Sequence, residues 1–141
     1  MILIIGIQGF IGRHAAMQFE KAYKVYGASR SKSKYDTAIG INLLDEDSIS
    51  RALLSIRPDY IVNCAGIVEN SMRAYENVNM TLNLLRTLVA TKIKPKKVVI
   101  LGSSAEYGEC RSEDLPIKET KNLNAKSDYA KSKKQEIELA L

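Results

Sequence analysis

The first twelve residues, MILIIGIQGFIG, constrain the fold of this chain more than any other stretch. Met1–Ile5 is an unbroken apolar run, which suits a strand buried on both faces. Glycines follow at positions 6, 9 and 12, where such a strand would give way to a helix. Glycine there lets the backbone turn tightly and approach a pyrophosphate, while the helix start offers free N–H groups to the anion. Three glycines at this spacing are a weak signal alone, and a tight structural turn is the plainer reading. Their place behind the first strand, with further strand and helix units following, favours dinucleotide binding.

Those further units are readable in order. Ala15, Ala16 and Phe19 at helical spacing predict a helix from Gly12 to about Ala22. Strands are predicted at Lys24–Ala28 and Ala38–Leu43. The run DEDSISRALLSI opens with acids that favour a helix start, carries Ile49, Leu53 and Ile56 on one face, and is stopped by Pro58. DYIVNCAG reads as a fourth strand. Arg73–Thr91 reads as a long helix with Val78, Leu82, Leu85 and Val89 on one face. KKVVILGSS is a fifth strand with its core at Val98–Leu101, and another helix starts at Ser127. Strands alternating with helices imply parallel pairing through right-handed crossovers. The expected fold is therefore α/β: a Rossmann-like doubly wound sheet of about five strands, order 3-2-1-4-5, with helices on both faces. CRSEDLPIKETKNLNAKSD is the one long irregular segment, and such a loop in a compact domain is usually functional.

Composition excludes several function classes. A length of 141 residues gives one domain, 1–141, and 45% apolar with 26% charged residues is ordinary for a globular chain. The longest apolar run is too short to cross a bilayer and no basic leader precedes it, so a soluble cytoplasmic protein without membrane partners is expected. One histidine, His14, and two cysteines without ligand spacing, Cys64 and Cys110, argue against a metal site. A buried free thiol is expected for Cys64. The formal charge of +5 comes largely from lysines scattered without interleaved aromatics, which reads as a solvated basic face and not a nucleic-acid site.

The chemistry-bearing residues lie late in the chain. Tyrosine is a poor acid or base near neutrality, with an unperturbed pKa of about 10. A lysine one helical turn away shares its face and favours the phenolate. Tyr129 and Lys133 have that i, i+4 spacing. Ser103 and Ser104 leave the fifth strand at its carboxyl end, where open α/β sheets place ligands. At the end of strand two the run GASRSKSK has no acid before Asp36, so the usual partner of an NAD ribose is missing. Ser29 and Arg30 could hold a 2′-phosphate instead, which favours NADP with NAD possible; an exposed basic loop is the other reading.

Taken together, GIQGFIG, INLLD, PDYIVNCAG, NVNMTLNLL, VVILGSSAEYGE and DYAKSK resemble the extended short-chain dehydrogenase/reductases, the NAD-dependent epimerase/dehydratase class that modifies nucleotide sugars. The likeness runs from Met1 to Leu141. Within it, GASR, GSSAEYG and LPIKET with SDYAKSKKQE look most like GDP-4-keto-6-deoxy-mannose reductases. The resemblance implies that Gly6, Gly9 and Gly12 hold the pyrophosphate with backbone help from Phe10 and Ile11. It also implies that Asn42 and Leu43 flank the adenine, and that Ala65 and Gly66 run past a ribose. Ser103 then matches the catalytic serine or threonine, Tyr129 the proton donor or base, and Lys133 the residue that binds the nicotinamide ribose and tunes the tyrosine.

Four positions depart from the family pattern. Asn42 replaces the usual aspartate, Met80 a glycine, and Asp128 a proline. Ala105 stands where dehydratases carry an acid, which disfavours simple dehydration. The resemblance further implies a nucleotide-sugar substrate, GDP-sugars favoured, and a homodimer through the helices at Arg73–Thr91 and Ser127 onward. Val78, Leu82, Leu85 and Val89 could form that seam or pack against the sheet. Family enzymes also need a C-terminal segment of comparable size for the sugar pocket. Without it strand five would be an open apolar edge, so a truncated, non-catalytic dinucleotide-binding module or sensor is the alternative expectation.

Overall fold

A computed structural model describes residues 1–30 and 38–141. Five parallel strands, β1 (Ile2–Ile5), β2 (Val25–Ser29), β3 (Ala38–Gly40), β4 (Tyr60–Asn63) and β5 (Lys97–Ile100), form one sheet in the order β3-β2-β1-β4-β5. Pairing is in register from Ile2 with Val25 and Tyr60 through Ile5 with Ala28 and Asn63. The sheet reverses direction of growth at β1, because β2 and β4 lie on its two sides. That is the switch point at which α/β sheets open a crevice beyond their carboxyl ends.

The described residues form two compact units. The first, Met1–Gly66 with Asn79–Leu101, contains the sheet. Alternate residues of β1 point to opposite faces. Leu3 and Ile5 pack with Ile49, Ala52, Leu53 and Ile56 of α2 (Glu46–Ile56) and with Leu84 and Leu88 of α3 (Glu76–Thr91). Ile2 and Ile4 pack on the other face with Ala16 of α1 (Phe10–Phe19). β1 is thus apolar throughout because both of its faces are covered. Asp45 caps α2, accepting from the N–H groups of Asp47 at 3.0 Å and Ser48 at 3.3 Å, with Glu46 and Asp47 in the first turn.

In the second unit, Ile67–Val78 with Gly102–Leu141, α4 (Asp128–Ala140) packs on two 3-10 turns, Met72–Tyr75 and Ser104–Tyr107. The buried face of α4 is Ala130, Ser132, Lys133 and Glu136. A face this polar is uncommon for a packed helix, whose inner stripe is ordinarily apolar. Residues 110–127 are irregular apart from a 3-10 turn at Ser112–Asp114, and an ion pair between Lys121 and Asp114 at 2.8 Å ties them together.

Several expected boundaries move. The first helix starts at Phe10, not Gly12, because Gly9 is its extended N-cap, and it ends at Phe19 where Ala22 and Tyr23 fold back onto the Phe19 carbonyl. β3 stops at Gly40 rather than Leu43. Beyond it the Asn42 side chain accepts from the Leu44 N–H at 3.1 Å, and this turn ends the strand. The helix expected over Arg73–Thr91 begins as the 3-10 turn and becomes α-helical at Glu76. On α3 the fully buried positions are Asn77, Thr81, Leu84, Thr87 and Leu88. Val78, Leu82 and Leu85 are half-buried and Val89 is 79% exposed, so that stripe is not the helix's main sheet-packing face.

Candidate dinucleotide and proton-transfer sites

The glycine loop joins β1 to α1 and rests on the end of β4. Gly6 has φ +80°, and a Cβ there would lie 2.6 Å from the Ala65 nitrogen. Only glycine meets both conditions, so the loop touches the strand-four end, backbone to backbone. Gly12 is buried, and a Cβ on it would collide with the Gly6 carbonyl. The first turn of α1 therefore sits directly on the loop. No side chain caps the N-terminus of α1 and no acid lies in its first turn. Among the described residues neither a cap nor a first-turn acid offsets the positive end of its dipole, an arrangement that favours a bound anion. Phe10 and Ile11, in the first turn of that helix, are 72% and 53% exposed. His14 stacks on Phe10 with ring centroids 4.4 Å apart.

Around this loop the other expected residues are placed unequally. Ser29 closes β2, is 8% exposed, and accepts from Gln8 Nε2 at 3.0 Å. Gln8 thus reaches from the glycine loop to the strand-two end, a link that its place between two glycines did not disclose. Arg30 is exposed. Residues 31–37, and with them Asp36, lie outside the described residues. Asn42 is exposed, whereas the Leu43 side chain is 3% exposed in the core and its carbonyl accepts from Asn83 Nδ2 at 3.0 Å. Ala65 is half-buried and Gly66 exposed, with the Ala65 N–H donating to Asn63 Oδ1 at 3.1 Å. Cys64 is half-buried rather than fully buried, and burial pushes its thiol above the ordinary range.

Ser103, Tyr129 and Lys133 all fall in the second unit. Ser103 caps the 3-10 turn Ser104–Tyr107 in a capping box. Its Oγ accepts from the Ala105 N–H at 3.3 Å, and its own N–H donates to Glu106 Oε1 at 2.5 Å. With one Oγ lone pair taken by the backbone, Ser103 keeps its O–H and a second lone pair for other partners. Glu106 is 2% exposed, held against Gly102 and Ser103. It lies next to the position where dehydratases carry an acid, yet it is occupied in fixing the turn. The sequence does carry its signal: Ser-x-x-Glu is the capping-box pattern.

Tyr129 lies in the first turn of α4 and is half-buried. Its carbonyl accepts from Ser132 Oγ at 2.8 Å. The Lys133 side chain is 7% exposed, and its Nζ lies 2.5 Å from Glu136 Oε2, whose side chain is 2% exposed. Glu136 was not singled out from sequence, although an i, i+3 pair is readable there. Asn77 is 1% exposed; it accepts from the Ile67 N–H at 2.7 Å, donates to the Ile67 carbonyl at 2.9 Å, and approaches Ser132 Oγ at 3.5 Å. Among the described residues no group of three acidic, cysteine or histidine side chains could hold a metal, and no helix is long and apolar enough to cross a membrane.

A parallel sheet ordered 3-2-1-4-5 with a glycine turn at the switch point defines a Rossmann-like fold. The profile of the NAD dependent epimerase/dehydratase family matches residues 2–141, and the chain belongs to that family. It is 27% identical over 157 residues to UDP-glucose 4-epimerase 2 of Oryza sativa subsp. japonica, covering 94% of this chain and 38% of the relative. A Burkholderia cenocepacia J2315 protein, itself only proposed to be an epimerase, superposes with TM-score 0.87 at 29% identity over 99% of this chain and 48% of its own. The RMD protein of Pseudomonas aeruginosa, solved with NADPH, gives TM-score 0.75 at 26% identity over 98% and 46%. The chain thus spans less than half the length of each.

Proposed function

We propose that this chain binds a nicotinamide dinucleotide and belongs to a nucleotide-sugar oxidoreductase or epimerase. The observation that carries the reading is the glycine loop, where Gly6 and Gly12 leave no room for a Cβ beneath an uncapped, acid-free helix start. Gly6, Gly9 and Gly12, with the N–H groups of Phe10 and Ile11, would hold the pyrophosphate. Asn42, the Leu43 backbone, Ala65 and Gly66 would line the nucleoside portions. A bound nicotinamide would supply or accept the hydride. Tyr129 would give or take the proton on the substrate oxygen, Ser103 would donate to that oxygen, and Lys133 would bind a ribose and favour the phenolate.

Three finer assignments belong to the same reading. No acid lies among Val25–Arg30, and exposed Arg30 suits a 2′-phosphate, so NADP is favoured over NAD. The GSSAEYG and SDYAKSK motifs favour a GDP-sugar and a 4-keto-6-deoxy-mannose reductase type. The stripe Val78, Leu82, Leu85 and Val89, half-buried to exposed on α3, would serve a homodimer seam. Calorimetric comparison of NADPH with NADH, in wild type and Arg30→Ala, tests the cofactor choice: the variant should lose the preference for NADPH. Equal affinity in both proteins overturns it. The alternative is a dinucleotide-binding module without turnover. Tyr129→Phe separates the two, because an oxidoreductase loses most of its turnover and a binding module loses nothing.

A further inference from the structure

We propose that Glu136 is a positioning residue for Lys133, fixing both the place and the charge of the ammonium on which Tyr129 depends; this rests on the proton-transfer role proposed above. On α4, Tyr129 lies four residues before Lys133 and Glu136 three after, so both flank the lysine on one side of the helix. A lysine buried alone gives up its proton, because a low-dielectric setting penalises the charged form. Lys133 and Glu136 are 7% and 2% exposed, and their charges lie 2.5 Å apart. The carboxylate offsets the desolvation of the ammonium. Surface i, i+3 pairs carry little meaning, but an ion pair with both members this buried is costly to desolvate and holds its partners only if the geometry is kept.

Several other charged groups near α4 have partners of their own. Glu106, on the turn Ser104–Tyr107, holds the Ser103 N–H. Arg73, on the turn Met72–Tyr75, pairs with Glu69 and Glu76, each at 3.3 Å, and Tyr75 is the remaining titratable group there. On α4 itself Lys134 pairs with Glu138 at 3.8 Å, Asp128 lies in the first turn and Lys131 is exposed. Among the described residues, Glu136 is the anion paired with Lys133. The Lys133 charge reaches Tyr129 only in the measure that Glu136 retains it.

The test is a pair of NMR titrations on the whole chain, labelled with 13Cε-lysine and 13Cζ-tyrosine. In Glu136→Gln the Lys133 midpoint should fall by at least about one pH unit, a tenfold rise in its acid constant. The Tyr129 midpoint should then rise, because a less firmly held ammonium favours the phenolate less. Glu136→Asp should restore both. Unchanged midpoints in folded Glu136→Gln overturn the proposal. If that variant does not fold, Lys133→Met with Glu136→Leu replaces the pair by apolar side chains, and an unchanged Tyr129 midpoint there overturns it equally. A merely structural pair would leave Tyr129 unmoved. None of these titrations needs cofactor, so failure of dinucleotide binding would sink the proposed function while leaving the Glu136 result standing.

Discussion

Ser103 shows how one side chain carries a local structural duty beside a proposed chemical one. Its Oγ and N–H close a capping box with Glu106, and its O–H and second Oγ lone pair remain for a substrate. Glu106→Ala should leave the part-buried Ser103 N–H without its acceptor and cost about 1 kcal/mol. Urea unfolding checks this, and a change below about 0.5 kcal/mol would contradict it. Ser103 was legible from its place after the fifth strand. The spacing of Glu106 and Glu136 was readable but their burial was not, since a glutamate ordinarily faces solvent. Burial at 2% for each is a tertiary outcome that spacing alone does not disclose.

At the scale of elements, the glycine loop is the best-specified feature. Gly6→Ala would place a side chain at φ +80° and 2.6 Å from the Ala65 nitrogen. A loss of about 2 kcal/mol or more is expected from the backbone conformation alone, with the collision added to it. Thermal unfolding of the variant checks this; unchanged stability would contradict it. The irregular segment carries a different expectation. Lys121 beside Asp114 holds that carboxyl below its usual range, and Asp114 with Cys110 raises Lys121. Asp114 then contributes above its unfolded pKa of about 3.9 and fails as pH falls through its lower folded value. Lys121 contributes fully below about 10.4 and fails as pH rises through its higher folded value. Amide exchange across Ser112–Lys121, corrected for intrinsic rates, should therefore stay level from about pH 5 to 9 and quicken at both extremes. Strand and helix order was readable because parallel strands are continuous apolar runs and helices carry a 3.6 period. The inner face of α3 was not, because Asn77, Thr81 and Thr87 occupy it and polar residues do not register in an apolar count.

For the molecule as a whole, β5 is the last strand of the sheet. Val99 on it is 39% exposed, beside a groove of about 230 Å³ lined by Phe19, Tyr23, Tyr60 and Val62. The sequence let the order of the five strands be read from its apolar runs. It could not anticipate that Ser103, Tyr129 and Lys133 belong to one compact unit and the glycine loop to another, because unit boundaries are set by packing. The central claim is that the glycine loop binds a nicotinamide dinucleotide. The most direct test is a calorimetric titration of NADPH and NADH into wild type and Gly12→Val. Saturable one-to-one binding in wild type, abolished in a variant whose side chain invades the loop, is the expected result. No saturable binding to folded wild type at millimolar ligand would contradict it.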